Sequence, residues 1–201
     1  MSIDKAIEGA DFVVHTASPF PPAVPKNENE IIEPAVNGTK AVMEACHKHK
    51  VKWVVITSSV VAVFDPERAT TQDIFNESDW LNITKKTPPY DKSKFLAEKA
   101  AWDYQAKLPE NEKFDIVTIN PGFIIGPVLV KSPFTSEEII WKFMLGKFPG
   151  LPKMNMALVD VRSCAVAHLK ALTCTPNKWF LLVSETPKFV EIGKMLHKTY
   201  G

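Results

Sequence analysis

The sequence has few of the features that mark metal sites, disulfide-bonded domains or membrane proteins. Its three cysteines, Cys46, Cys164 and Cys174, form no C-x-x-C pair and no zinc-ligand spacing with a histidine. No apolar run approaches the roughly 20 residues that cross a bilayer, and the N-terminus lacks the basic-then-apolar order of a signal peptide. We therefore predict reduced thiols, no metal, no membrane partner and a cytoplasmic protein.

The sequence also lacks an excess of charge of either sign. Its 201 residues include 24 Lys and Arg and 23 Asp and Glu, which leaves a net charge of +1. A chain so close to neutral has no electrostatic reason to bind nucleic acid. Hydrophobic residues make up 45% and charged residues 23%, as in ordinary globular proteins, so disorder, collagen and coiled coil are excluded.

Strand-like and helix-like segments alternate along the chain, which is the pattern of a parallel sheet covered by helices. Four β-rich runs are predicted strands, at 10–17, 51–59, 114–120 and 179–183. Helices are predicted at 31–50, 90–107, 136–145, 162–172 and 187–200. A sheet of about four strands is smaller than the six-stranded sheet of a full doubly wound dinucleotide-binding fold.

Tyr90 and Lys94 are four residues apart in a predicted helix, so their Cβ atoms lie roughly 5–6 Å apart on one face. Because a nearby ammonium favours the phenolate, we predict that Lys94 lowers the pKa of Tyr90. Ser58 and Ser59 end the preceding predicted strand, where parallel sheets bind ligands. A Ser, a Tyr and a Lys can together hold a carbonyl oxygen, protonate it and orient a hydride donor. An exposed tyrosine beside a solvated lysine, and serines that only cap a strand, fit the same pattern.

Seven segments share their residues and their order with a known family. They are Val13–Pro19, Glu33–Thr39, Val54–Ser59, Asn76–Trp80, Tyr90–Lys99, Asn120–Pro127, and Val159–Arg162 leading into Ala165–His168. Through them the chain resembles the extended short-chain dehydrogenases/reductases of the NAD-dependent epimerase/dehydratase superfamily, and within these the dihydroflavonol reductase and cinnamoyl-CoA reductase-like group. The resemblance covers nearly the whole chain.

The resemblance implies a doubly wound, parallel-sheet Rossmann-type α/β fold and an NAD(P)H-dependent oxidoreductase that reduces a ketone or aldehyde to an alcohol, with NADP more expected than NAD. Ser59 would hydrogen-bond the substrate carbonyl, Tyr90 would donate the proton, and Lys94 would hold the nicotinamide ribose. The implied cofactor-binding residues are Thr16, Ala17, Ser18, Tyr90, Lys94, Pro121, Gly122, Phe123 and Ile124. The alternatives are a sugar-nucleotide epimerase or dehydratase, a hydroxysteroid dehydrogenase, or a truncated remnant without catalysis.

The sequence departs from this family at its start. None of its eight glycines form the G-x-x-G-x-x-G turn that binds the cofactor pyrophosphate. We therefore expect a fold that lacks its first βαβ unit, in a chain that is a fragment or a natural short product, with an exposed apolar sheet edge. Residues 1–201 are predicted to form one partial NAD(P)-binding domain, in which 128–157 and 176–201 contribute to a small C-terminal substrate lobe.

Four further residues are assigned to structure instead of catalysis. His15 is predicted to be a core histidine, Trp80 a packing residue, and Asp160 and Arg162 a structural ion pair. The position of the helix asparagine that relays protons in many short-chain reductases aligns with Ala35, so a proton relay through asparagine is not expected.

Overall fold

The computed structural model describes residues 2–20, 25–72, 74–129 and 135–200. Strands and helices alternate, as the sequence predicts. In chain order they are α1 (Ile3–Ile7), β1 (Phe12–His15), α2 (Asn29–Lys48), β2 (Trp53–Thr57), α3 (Pro89–Lys107), β3 (Asp115–Pro121), β4 (Phe123–Ile125), α4 (Thr135–Met144), β5 (Leu158–Asp160), α5 (Val161–Ala171), β6 (Lys178–Leu182) and α6 (Phe189–Tyr200). Most of the proline-rich stretch after β1 lies outside the described residues.

Four strands form the main sheet in the order β1-β2-β3-β6. The pairs β1–β2 and β2–β3 are parallel, with Val55 of β2 level with Val14 on one side and Val117 on the other. Val54, Val55 and Ile56 are buried, as expected for a β-branched strand covered on both faces. The predicted α/β fold with a parallel sheet is confirmed, in a main sheet of four strands.

A second sheet joins β4 and β5 in parallel, and the sequence did not predict it. Each of its strands is three residues long. Runs this short show no period that distinguishes a strand from a loop.

The main core lies where α2 and α3 cover the sheet. The apolar residues of the two helices pack against β2 and β3 in one cluster, which includes Met43, Cys46, Ala101, Val54 and Ile116. Met43 and Cys46 are fully buried. This packing fixes α3 against the sheet and so fixes the side chains that α3 presents at the carboxyl ends of the strands.

The chain divides into two compact units. The first comprises Met1–Asn120 and Ala167–Leu181, and the second comprises Pro121–Val166 and Leu182–Gly201. The second unit contains most of the segments predicted to form a substrate lobe, except that 176–181 belong to the first unit and 130–134 lie outside the described residues. Their role in substrate binding stays a prediction.

Strand β1 is at one end of the main sheet, with β2 as its neighbour among the described strands. Phe12 is 51% exposed and Val14 is 44% exposed, and both point to the same face because alternate residues of a strand share a face. The structure thus has the exposed apolar edge that the sequence predicts. In the part of the chain that the structure describes, no helix is long and apolar enough to cross a bilayer.

Candidate active site

The carboxyl end of β2 and the first two turns of α3 bring the predicted catalytic side chains together. Ser59 follows β2 and begins a short 3-10 turn at Val60–Ala62. Tyr90 and Lys94 lie on α3, whose start is defined by the pair Pro88-Pro89, with a proline at the position in the first turn where a helix accepts it. Ser59 and Lys94 are buried, and Tyr90 is partly buried.

Ser59 is fixed by contacts on its side chain and on its backbone. Its hydroxyl accepts a hydrogen bond from the Val61 N–H at 3.4 Å and also hydrogen-bonds the Tyr90 side chain. Its backbone carbonyl accepts hydrogen bonds from the Ala62 N–H at 3.0 Å and from Asn120 Nδ2 at 3.2 Å. The serine hydroxyl is therefore held against the phenol, which is the pairing that protonation of a bound carbonyl oxygen requires.

The pKa of Tyr90 corrects one prediction. Burial raises it to about 12, the Ser59 hydrogen bond lowers it, and the negative charge of Asp91 raises it. The prediction that Lys94 lowers this pKa is therefore wrong for the chain by itself. The ring of Phe20 packs edge-on against Tyr90 with 4.7 Å between centroids, and shielding of the phenolate from water outweighs the effect that spacing alone suggested.

Lys94 is 8% exposed, and burial lowers its pKa to about 8, while the charge of Glu98 opposes that change. Among the described residues its ammonium group has no hydrogen bond or ion pair. It lines a small cavity at the ends of β1 and β2. The other lining residues are His15, Ala17, Ser18, Thr39, Ile56, Thr57, Ser58, Ala97 and Glu98. The cavity thus brings a buried cation with free donors next to Ala17 and Ser18, which the resemblance assigns to the cofactor.

The other predicted cofactor-binding residues fall into two groups. Ala17 and Ser18 line the Lys94 cavity, whereas Thr16 is exposed and outside the lining. Pro121, Gly122, Phe123 and Ile124 follow directly along the chain in the second unit, where Pro121 ends β3 and the last two begin β4. Gly122 lies so close to Ala157 that a Cβ would come within 2.5 Å of the Ala157 carbonyl oxygen. Only glycine fits this backbone.

Three buried polar residues next to the site carry no predicted role. They are Glu98 on α3 and Thr118 and Asn120 on β3, each at most 1% exposed. Two features of the sequence pointed to these residues. A carboxylate follows Lys94 by one helical turn, and two polar residues interrupt an apolar strand. Sequence spacing did not show that all three meet each other.

His15 differs from its predicted place in the core. It is only partly buried and lines the cavity beside Lys94, whose charge adds to the effect of burial in lowering its pKa. Two other structural predictions are confirmed. Trp80 packs against Trp179 with 3.9 Å between ring centroids and 58° between the ring planes, and Arg162 forms an ion pair with Asp160 at 2.6 Å.

Asp79, from the matched segment that contains Trp80, organises the loop between Ser59 and Tyr90. Its carboxylate accepts hydrogen bonds from the Arg68 guanidinium, from Gln72 Nε2 at 3.0 Å and from the Asn76 N–H at 3.0 Å. The Leu81 N–H then donates to the Ala62 carbonyl at 3.0 Å. This loop therefore braces the 3-10 turn that carries Ser59.

Comparison with known proteins identifies one matching family and two kinds of relative, a cinnamoyl-CoA reductase and a methylglyoxal reductase. Residues 1–140 match the model of the 3-beta hydroxysteroid dehydrogenase/isomerase family. The chain is 36% identical to cinnamoyl-CoA reductase 1 of Arabidopsis thaliana, over 99% of this chain and 57% of that protein. It is 34% identical to the NADPH-dependent methylglyoxal reductase GRE2 of Saccharomyces cerevisiae, over 79% of this chain and 51% of that protein.

Solved structures give the same result. The crystal structure of yeast methylglyoxal/isovaleraldehyde reductase Gre2 complexed with NADPH matches with a TM-score of 0.87 and 28% identity, over 98% of this chain and 63% of that one. Gre2 of Candida albicans in complex with NADPH matches with a TM-score of 0.86 and 30% identity, again over 98% and 63%. The chain thus spans roughly half to two thirds of the length of these relatives.

Proposed function

The chain belongs to the 3-beta hydroxysteroid dehydrogenase/isomerase family and, among the extended short-chain dehydrogenases/reductases, to the dihydroflavonol reductase and cinnamoyl-CoA reductase-like group, and from this membership we propose that it reduces an aldehyde or ketone with NADPH. The observation that carries the proposal is the buried arrangement of Ser59, Tyr90 and Lys94 at the end of β2. The names of the relatives support a small carbonyl compound as substrate.

The residues of the first unit fit the nicotinamide–ribose part of the cofactor. Lys94 has ammonium donors with no partner among the described residues, and Ala17, Ser18 and Thr57 line the same cavity. Lys94 would donate hydrogen bonds to ribose hydroxyls, and Ala17 and Ser18 would border the ring. NADPH, when bound, supplies the hydride. The names of two Gre2 complexes support NADPH over NADH.

Tyr90 is the proposed proton donor. Because its pKa is about 12, the phenol keeps its proton at neutral pH, which is the form that reduction needs. Ser59, held by Val61 and Asn120, would donate its hydroxyl proton in a hydrogen bond to the substrate carbonyl oxygen. Lys94, with a pKa of about 8, is largely charged at pH 7 and would stabilise the phenolate that remains after proton transfer.

We also place the protein in the cytoplasm. The support is that the three cysteines of the chain form no disulfide with one another, as is usual in a reducing compartment.

The proposal is tested by NADPH oxidation in the presence of an aldehyde. Methylglyoxal and a cinnamoyl thioester are suitable probes, because relatives are named for these compounds. We expect aldehyde-dependent loss of NADPH absorbance in the wild type and its loss in Tyr90→Phe, with Tyr104→Phe, on the same helix, as the matched control. Equal turnover in Tyr90→Phe would remove the tyrosine from the mechanism. A folded chain without any turnover would favour the alternative of a non-catalytic protein.

A further inference from the structure

Glu98 is a buried carboxylate that none of the proposed catalytic steps uses. It is 1% exposed and lies on α3 four residues after Lys94 and eight after Tyr90, so the three side chains follow one face of the helix. A carboxylate buried this deeply destabilises the fold unless its oxygens accept hydrogen bonds. Its partners therefore show what the residue does.

Both carboxylate oxygens of Glu98 accept hydrogen bonds from β3. Thr118 Oγ1 donates to one oxygen at 2.7 Å, and Asn120 Nδ2 donates to the other at 2.7 Å. Trp102 Nε1 adds a longer contact to the first oxygen at 3.4 Å. Glu98 thus connects α3 to the strand whose end borders the site.

Asn120 extends this connection to Ser59. Its Nδ2 group has two hydrogens, and it donates to the Ser59 carbonyl at 3.2 Å as well as to Glu98. Both partners are acceptors, so the amide orientation is fixed even though Oδ1 has no partner among the described residues. The Glu98 carboxylate therefore fixes the orientation of the Asn120 amide, and that amide in turn holds the backbone carbonyl of Ser59.

Glu98 also lines the small cavity together with Lys94. It is the only acidic residue among those that line the cavity in the described part of the chain, and its charge opposes the effect of burial on the Lys94 ammonium. Of the other elements around this cavity, β1 contributes the titratable His15, whereas β2 and α2 contribute the neutral residues Thr57, Ser58 and Thr39. On α3 itself, the titratable residues that precede Lys94 are Tyr90, Asp91 and Lys92, and Lys92 forms an ion pair with Glu28.

We propose that Glu98 is a positioning residue for this site, because its carboxylate holds Ser59 through Asn120 and lines the same cavity as the Lys94 ammonium. The inference deepens the proposed reductase function and, in its kinetic part, rests on it. Glu98 touches neither substrate nor cofactor in this account. It acts through the two residues that do.

The two effects can be separated with two variants. Glu98→Gln removes the charge and replaces one of the two acceptor oxygens, which receive Thr118 and Asn120 separately, with an NH2 donor, so it acts on both Lys94 and Ser59. Asn120→Ala removes the bridge to Ser59 and leaves the charge of Glu98 in place. Asp103→Asn is the matched control, because Asp103 is a carboxylate of the same helix in an exposed ion pair with Lys99.

Two readouts do not depend on activity. The first is the titration of Lys94 followed by NMR of 13C-labelled lysine side chains, assigned with Lys94→Arg. We expect a midpoint near 8 in the wild type, a lower midpoint in Glu98→Gln, and no change in Asn120→Ala or Asp103→Asn. The second is hydrogen exchange of the Ala62 amide, which donates to the Ser59 carbonyl. We expect faster exchange in Glu98→Gln and Asn120→Ala only.

The kinetic readout is turnover of the full chain with NADPH and an aldehyde. We expect kcat to fall about tenfold in Asn120→Ala and further in Glu98→Gln, with little change in KM for the aldehyde. An unmoved Lys94 titration in folded Glu98→Gln, or an unmoved Ala62 amide in Asn120→Ala, would overturn the inference. If Glu98→Gln does not fold, the hydrogen-exchange rate of the Ala62 amide in Asn120→Ala decides whether the inference stands. If the wild type shows no turnover, the proposed function fails, whereas the two NMR readouts still decide the role of Glu98.

Discussion

The two faces of α3 carry the same kinds of side chain in opposite surroundings. On one face Tyr90, Lys94 and Glu98 are buried or partly buried, and burial moves the pKa of both Tyr90 and Lys94. On the outer face Lys99 and Asp103 form an ion pair at 2.9 Å with about half of each side chain exposed. Water screens that exposed pair, so it contributes little to the stability of the helix. The comparison teaches that burial, and not helical spacing, gives the site its chemistry.

The test with the largest expected effect substitutes the two tyrosines of α3, one at a time. Tyr90→Phe removes the proposed proton donor, and we expect turnover to fall roughly 10²- to 10⁴-fold, as for loss of a general acid. Tyr104→Phe removes a hydroxyl that contacts His47 Nδ1 at 3.3 Å, away from the cavity, and turnover should stay within about twofold. Steady-state kinetics of both variants would contradict the comparison if the two losses were similar.

The next test removes a carboxylate from each face. Glu98→Ala leaves the donors of Thr118 and Asn120 buried without an acceptor, and we expect the free energy of unfolding to fall by about 2–5 kcal/mol. Asp103→Ala breaks an exposed ion pair and should lower it by less than about 0.5 kcal/mol. Urea unfolding measures both changes, and equal losses would mean that the buried hydrogen bonds add nothing to stability.

A third test uses the pH dependence of stability. The folded-state pKa of Lys94 is about 8, against an ordinary value of 10.5, so between these pH values the unfolded chain binds more protons than the folded chain. The free energy of unfolding should therefore rise with pH across this range, by on the order of 3 kcal/mol from this group. Lys94→Met should be the more stable protein below pH 8, and its advantage should vanish near pH 10.5. Lys99→Met, which removes an exposed lysine of the same helix, is the matched control.

The smallest expected effect concerns the aromatic cover of the tyrosine. Phe20→Ala exposes the Tyr90 phenol to water, so its pKa should fall from about 12 toward the ordinary value of 10.0. Tyrosine 13C NMR through a pH titration measures this change, with Tyr104 as the internal reference. An unchanged Tyr90 pKa would mean that burial by other groups, and not by Phe20, raises it.

Much of the fold was readable from the sequence because each long element has its own local pattern. The apolar β2 run and the Ala- and Lys-rich α3 were predicted within a few residues. The β4–β5 sheet was not predicted, because its three-residue strands carry no period. Ser59, Tyr90 and Lys94 were found through motif resemblance, and the structure brings them to one end of the sheet.

The electrostatics of the site were not readable in the same way. Spacing gave the distance between Tyr90 and Lys94 but not the amount of water around them, and the sign of the Tyr90 pKa shift depends on that water. The link from Glu98 through Asn120 to Ser59 joins residues that are 22 and 61 positions apart. Such contacts follow from the packing of α3 on β3, which no local pattern encodes.

The most direct test of the central claim is thermal unfolding of this chain with and without NADPH, compared with Lys94→Met. A ligand that binds only the folded state at about 100 times its Kd adds roughly 2.7 kcal/mol, which for a chain of this size raises Tm by about 5–10 °C. We predict such a rise in the wild type with NADPH, a smaller rise with NADH, and a much reduced rise in Lys94→Met. A cooperative unfolding transition that neither cofactor moves, or an equal rise in Lys94→Met, would contradict the account.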